Sequence, residues 1–264
     1  MLSVAGASTA ETARLAVNSG QKSADIVITM LEDGFVVAEV IHSILPVMTE
    51  GTIFIDMSST QQSEAQSFDA LFSQKKIGFI DAPVSGGVAG AETGTLAIMV
   101  GARQAHYEQV EDILKVFGRP ILIGGPGTGQ LAKLCNQLIV GGTINIVAEA
   151  LLLAQAGGAD PVEVRRALRG GFADSRILEV HGQRMLDRNF IPGGQVKSQA
   201  KDMKNILLAA QLASVQLPMA EMVAEKYRSL LSYLPLADHS AALLELERSN
   251  AGIRLGNTEN IFSK

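Results

Sequence analysis

The sequence predicts an α/β domain built on a parallel sheet, followed by an all-α helical domain. Three observations predict it. Short β-branched runs alternate with amphipathic ones through the first half, the pattern of strands buried on both faces and joined by crossover helices. A helical pattern of roughly 30 residues starts at Thr128, and no convincing strand follows RPILIGG. The 264-residue chain is 47% apolar and 19% charged, enough to fill a core in each part.

In chain order, TAETARLAVN reads as a first helix with Ser8 as its N-cap. ADIVITML is a strand by its β-branched content, and FVVAEVIHSILPVM has helical spacing. GTIFIDMSS is the next strand, and SEAQSFDALFSQKK the next helix. IGFIDAPVSGG, TLAIMVGA and RPILIGG supply three more strands, with HYEQVEDILKVFG as the helix between the last two. The boundary falls at Gly125-Pro126-Gly127, which assigns residues 1–126 to the sheet domain and 127–264 to the helical one.

The long helix stops at Gly157-Gly158, and Asp160-Pro161 opens another, with Pro where its missing N–H is harmless. Further helices follow at SRILEVHGQRML, AKDMKNILLAAQLA, MAEMVAEKYRSLL and HSAALLELE, and the polar tail SNAGIRLGNTENIFSK is expected to be loose.

A net charge of −5 without basic runs argues against a nucleic-acid face. Cys135 stands alone, so no internal disulfide forms, and it is expected in the core. No uninterrupted apolar run reaches the ~18 residues of a membrane span, and MLSVAGASTAETARL has neither the basic nor the apolar part of a secretory signal. The expected setting is the cytoplasm. His42, His106, His181 and His239 are scattered without metal-like spacing, so no metal is assigned, and RRALR around Arg165 and Arg166 reads as a solvated face.

One segment, Gly127-Thr128-Gly129-Gln130-Leu131-Ala132, has the spacing of a phosphate-binding turn and follows a strand. A dinucleotide turn belongs to a βαβ unit with an acidic residue ending its second strand. Here the helix runs on and no second strand follows, so the segment reads as a tight turn between domains. No other such turn exists, and the sheet is expected to lack its first βαβ unit.

Three stretches, DAPVSGGVAGAETGTLAIMVGA, GPGTGQLAKLCNQ and KDMKN, occur in this order. Together they resemble the 3-hydroxyisobutyrate dehydrogenase and 6-phosphogluconate dehydrogenase superfamily of β-hydroxyacid dehydrogenases, over about residues 20–248. The central helices are most similar to the tartronate semialdehyde reductase subgroup. The resemblance implies a Rossmann-like first domain, NADP or NAD as cofactor, a small carboxylate substrate, no nucleic-acid or membrane partner, and a homodimer or homotetramer through the helical domain. It also implies NAD(P)H-dependent reduction of 2-hydroxy-3-oxopropionate to glycerate, with 3-hydroxyisobutyrate oxidation or succinic semialdehyde reduction as alternatives. A chain lacking its phosphate turn could instead bind acids or assemble without turnover.

Lys133 matches the catalytic lysine of the family's GxGxxxKxxN pattern, intact here. A positioned ammonium stabilises the forming alkoxide and then protonates it, and burial among Leu131, Leu134 and Leu138 would tune it. The competing reading is a lysine snorkelling to solvent. Asn136 shares its helix face and is implied to hold substrate; Gln137 stands where many relatives have a second Asn. Ser85, Gly86 and Gly87 are implied to cradle the substrate carboxylate, against an ordinary strand-to-loop turn. Met30, Leu31, Ser59 and Lys201 are implied to contact the cofactor; Ser59 is alternatively a helix cap and Lys201 an exposed lysine. Glu32 departs from the family's Pro and Gly194 from its frequent Phe, which puts the local turn and packing in question.

Overall fold

Phe54, Phe72 and Phe79 stack against one another, with ring centroids 4.8 to 6.2 Å apart, and this aromatic wedge anchors one face of a six-stranded sheet. The structure is a computed structural model that describes residues 6–20 and 22–263. The first five residues of the start, part of the secretory-signal reading above, lie outside the described residues. The chain divides into two compact units, residues 1–133 and 134–264.

In the first unit the strands are Ile26–Thr29 (β1), Ile53–Asp56 (β2), Gly78–Asp81 (β3), Val84–Ser85 (β4), Leu96–Ala102 (β5) and Gly118–Gly124 (β6). Its helices are Ala13–Val17 (α1), Gly34–Ile44 (α2), Gln62–Ser73 (α3), Gly87–Thr93 (α4), Gln104–Phe117 (α5) and the start of Thr128–Ala156 (α6). Val37, Ile41 and Ile44 of α2 join the aromatic wedge on one face. Tyr107, Val110 and Leu114 of α5 cover Ile55, Ile80, Ile98 and Val100 on the other. Both faces are therefore closed, as continuous apolar strands require.

Strand order is β1-β2-β3-β5-β4, with β6 on the free side of β5. The pairs β1–β2, β2–β3 and β5–β6 are parallel, but β5 runs antiparallel to β3 and β4. The expected parallel sheet is present in β1, β2 and β3, with β5 reversed against them. The chain turns back after β3 through β4 and α4, so β5 enters reversed. Buried strands of either direction read as the same apolar run, so direction leaves no trace in composition. Thr12, not Ser8, caps α1 by accepting from Leu15 N at 3.3 Å.

The second unit comprises the rest of α6 and the helices Pro161–Leu168 (α7), Arg176–Leu186 (α8), Val196–Leu212 (α9), Pro218–Leu231 (α10) and Ala242–Ser249 (α11). Asp160 caps α7 and Ser175 caps α8, each side chain accepting a first-turn N–H. α6 is long and apolar enough to cross a bilayer by length and composition, which a search for uninterrupted apolar runs passes over. Its Leu134, Ile144, Val147, Ala148, Leu151 and Leu152 are instead buried with Met203, Ile206, Tyr227 and Leu243 in the unit's core.

The tail is docked, against the expectation that it is loose. Arg188, 1% exposed, forms a bidentate pair with Glu247 at 2.6 and 2.8 Å and donates to Asn260 Oδ1 and Leu255 O. Ile261 N donates to Arg188 O and Phe190 N to Ile261 O, both at 2.8 Å. A buried guanidinium needs acceptors on every side, and Glu247 of α11 and the polar tail together supply them.

Candidate active site

At the carboxyl edge of the first unit, Thr29, Asp56 and Asp81 stand in register at the ends of β1, β2 and β3. Thr29 Oγ1 donates to Asp56 Oδ1 at 2.9 Å, and Ser58 N donates to the same oxygen at 3.1 Å. Leu31 N donates to Ser58 Oγ at 2.9 Å, tying the loop after β1 to the loop after β2. Met30, Leu31 and Ser59 therefore lie just past the ends of two parallel strands, where open α/β sheets take their ligands. Met30 is 57% exposed, while Leu31 and Ser59 are half-buried.

Ser59 is not a helix cap. That place in α3 belongs to Gln61, whose backbone N–H donates to Glu64 Oε2 at 2.8 Å in a capping box. The turn that Glu32 put in question closes through Asp33, which caps α2 by accepting from Val36 N at 3.0 Å.

The Gly-rich segment opening α6 has its N–H groups filled by a protein anion. Asp81 Oδ1 accepts from Gly127 N at 2.7 Å and Oδ2 from Gln130 N at 2.8 Å. A Cβ at Gly129 would lie 2.3 Å from Met99 O and 2.7 Å from Asp81 O, so glycine is needed here for backbone-to-backbone approach. The phosphate-turn look of the motif thus has a packing cause. Burial raises the Asp81 carboxyl to about 6, against the two N–H donors, and the nearby Asp56 charge adds to the rise. Gln130, fully buried, sends its amide to residues 58–60.

Lys133 lies one turn further along α6 and is half-buried. The apolar enclosure expected for it is partial, since Leu134 is 5% exposed but Leu131 is 38% exposed. Cys135, expected in the core, is exposed.

Ser85 ends β4, paired with Ala97 of β5, and is half-buried. Gly86 has φ +139° and Gly87 φ +64°, both in the region that favours glycine. Gly86, Gly87 and Val88 are exposed, and a Cβ at Gly87 would meet nothing within 4 Å. The backbone is thus open and accessible at Gly87, where α4 begins, while a Cβ at Gly86 would meet Leu96 Cδ2 at 3.2 Å.

In the second unit, Asn136 and Lys201 are brought into one polar network. Asn136 Nδ2 donates to Gln137 Oε1 at 2.8 Å, and Gln137 Nε2 donates to Asp202 Oδ2 at 2.8 Å. Lys201 Nζ lies 3.9 Å from Asp202 Oδ1, and Gln199 Nε2 donates to Gln137 O at 3.1 Å. Asp202 and Gln199, both buried polar residues, were missed from sequence; polar positions on the buried face of α9 were the available signal.

The histidines that seem scattered in sequence partly converge here. His181, Asp238 and His239 offer ligand atoms within 4.8 Å of one another. Asp238, however, already accepts from Gly193 N, Gly194 N, Ser240 N and Ser240 Oγ, and Arg184 Nη1 stands 3.8 Å away. A carboxylate so saturated, beside a guanidinium, makes a poor metal ligand. The same cluster explains Gly194, because a Cβ there would press on the His239 ring at 3.2 Å.

An apolar lip at Met30 and Leu31 stands at the carboxyl edge of parallel strands, where open α/β sheets take their ligands. Residues 2–125 match the family model described as the NAD binding domain of 6-phosphogluconate dehydrogenase. Residues 127–246 match that of the NAD-binding region of NADP-dependent 3-hydroxyisobutyrate dehydrogenase. The chain is 40% identical over 247 residues to 2-hydroxy-3-oxopropionate reductase of Escherichia coli (strain K12), covering 92% of this chain and 83% of that one. It is 31% identical to NAD-dependent L-serine dehydrogenase of Pseudomonas aeruginosa, covering 87% and 80%. A solved structure of 3-hydroxyisobutyrate dehydrogenase from Mycobacterium tuberculosis with L-serine superimposes with a TM-score of 0.82 at 28% identity, covering 89% and 82%.

Fold, strand-end site and family matches together define an NAD(P)-dependent oxidoreductase acting on CH–OH groups, with a Rossmann-like domain followed by a helical one. The chain belongs to the 3-hydroxyisobutyrate dehydrogenase and 6-phosphogluconate dehydrogenase superfamily, the β-hydroxyacid dehydrogenases.

Proposed function

We propose that the chain interconverts 2-hydroxy-3-oxopropionate (tartronate semialdehyde) and glycerate, with Lys133 as the proton donor in reduction. The observation that carries this reading is the 40% identity over 247 residues to the Escherichia coli 2-hydroxy-3-oxopropionate reductase. The nicotinamide cofactor, when bound, supplies the hydride. Lys133 stabilises the negative charge that grows on the carbonyl oxygen and protonates it; in oxidation, the neutral amine takes that proton back. Asn136, one turn beyond Lys133 on α6, orients the substrate.

Ser85 and the backbone N–H groups at Gly86 and Gly87 take the carboxylate, a role supported by their exposure and positive φ values. Met30, Leu31, Ser59 and Lys201 carry the cofactor contacts, and the location is the cytoplasm. A homodimer or homotetramer through the helical unit is supported by exposed Ile139, Ile146 and Leu153 on α6, by Leu212 at the end of α9 and by Val215 just past it.

The test is steady-state turnover of tartronate semialdehyde, 3-hydroxyisobutyrate and succinic semialdehyde with NADPH or NADH (oxidised forms for the alcohol). Tartronate semialdehyde should give the highest kcat/KM, and Lys133→Ala should lower kcat about 1,000-fold. A higher kcat/KM on either other compound would reassign the substrate. Undiminished turnover by Lys133→Ala would remove the lysine from the chemistry.

A further inference from the structure

We propose that Gln130 is a positioning residue for this reaction: its buried amide fixes the loop of residues 58–60 to the same helix that carries Lys133. The inference rests on the reading of Lys133 as proton donor and Ser59 as cofactor contact. Gln130 is 0% exposed in the first turn of α6, an unusual place for an amide unless it is fully bonded. Its Nε2 donates to Ser58 O at 2.8 Å and its Oε1 accepts from Thr60 N at 3.0 Å. One side-chain amide thus holds the backbone on both sides of Ser59.

The turn that carries Gln130 is itself pinned. Asp81 accepts from Gly127 N and Gln130 N, and Gly129 is seated against the backbone of Met99 and Asp81. These contacts tie the start of α6 to the end of β3 and to β5. Lys133 follows three positions later, a rise of about 4.5 Å along the same helix. With the Gln130 amide in place, the base of the Lys133 side chain and the loop of Ser59 cannot drift apart. Loosening this link should slow the chemical step more than it weakens substrate binding, because a misplacement of about 1 Å can cost about 100-fold in rate.

The experiment compares full-length wild type, Gln130→Met, Gln130→Glu and Lys133→Ala for kcat, both KM values and thermal midpoint, on the substrate the wild type turns over fastest. Gln130→Met keeps the volume but removes donor and acceptor; kcat should fall about 100-fold with substrate KM within about threefold. Gln130→Glu should be as slow while ionised. Its protonated acid restores one donor and one acceptor, so its kcat relative to wild type should recover as pH falls from about 8 to about 5.

A folded Gln130→Met with wild-type kcat, beside an inactive Lys133→Ala, overturns the positioning role and leaves Lys133 standing. If Gln130→Met does not fold, Gln130→Glu decides: a pH profile parallel to wild type overturns the proposal. Full activity of Lys133→Ala, or a wild type idle on all three compounds, overturns both readings.

Discussion

The rings of His181 and His239 meet edge to face with centroids 4.6 Å apart, beside the fully buried Asp238 carboxylate. Burial alone would raise that carboxyl. The His181 imidazole, the His239 ring and the Ser240 donors outweigh it and hold the group well below the usual carboxylate range.

A carboxyl depressed in the folded state contributes stability that is present above its unfolded pKa, near 4, and is lost as pH falls through the folded value. Asp238→Asn should therefore destabilise the helical unit at neutral pH by about 3 kcal/mol. The gap to wild type in urea melts should close only well below pH 4. A constant gap from neutral pH to the acid limit would contradict this.

Asp81 has the opposite sign. Its folded value, about 6, lies above the ordinary 3.8, so its contribution is full below pH 4 and fades as pH rises through 6. Relative to Asp81→Asn, the wild type should lose roughly 3 kcal/mol of its standing between pH 4 and pH 7. Chemical melts of both proteins across that range would register it as converging or crossing curves.

Arg188→Met removes one partner of a pair in which Arg188 is 1% exposed. It should cost about 3–5 kcal/mol and release the tail, seen as rapid amide exchange at Ile261. Pairing it with Glu247→Leu should recover part of the loss, since two apolar groups leave no buried charge. If the single variant melts like wild type, the clamp contributes nothing.

At the exposed turn after β4, Ser85→Ala should raise substrate KM about tenfold, with kcat changed less than about threefold, if the hydroxyl binds the carboxylate in ground and transition states alike. Gly86→Ala should be worse, because φ +139° strains any Cβ and Leu96 Cδ2 lies 3.2 Å from its position. Equal KM values in all three proteins would move the carboxylate site elsewhere.

The strands and long helices were legible because burial imposes a period on sequence. α6 was read nearly to its ends, since Gly157 and Gly158 stop it where the apolar pattern stops. What escaped depends on partners distant in the chain. β5 is antiparallel because of what it pairs with, not because of its composition. α4, in the Gly-rich GGVAGAET, has too few apolar residues to show a period. Gln130 meets residues about 70 positions away, and His181 meets Asp238 across two intervening helices; no local pattern records either. A buried-face amide was the clue to Gln130, and polar tail residues facing a buried arginine could not be guessed without the fold.

The Arg188 clamp also constrains when the helical unit can finish folding during synthesis. Its acceptors at Glu247, Leu255 and Asn260 leave the ribosome long after the guanidinium does. Until they emerge, closing the core would strand an unpaired cation inside it, so the nascent unit should stay open, and exposed to chaperones, until Asn260 is free to reach the guanidinium.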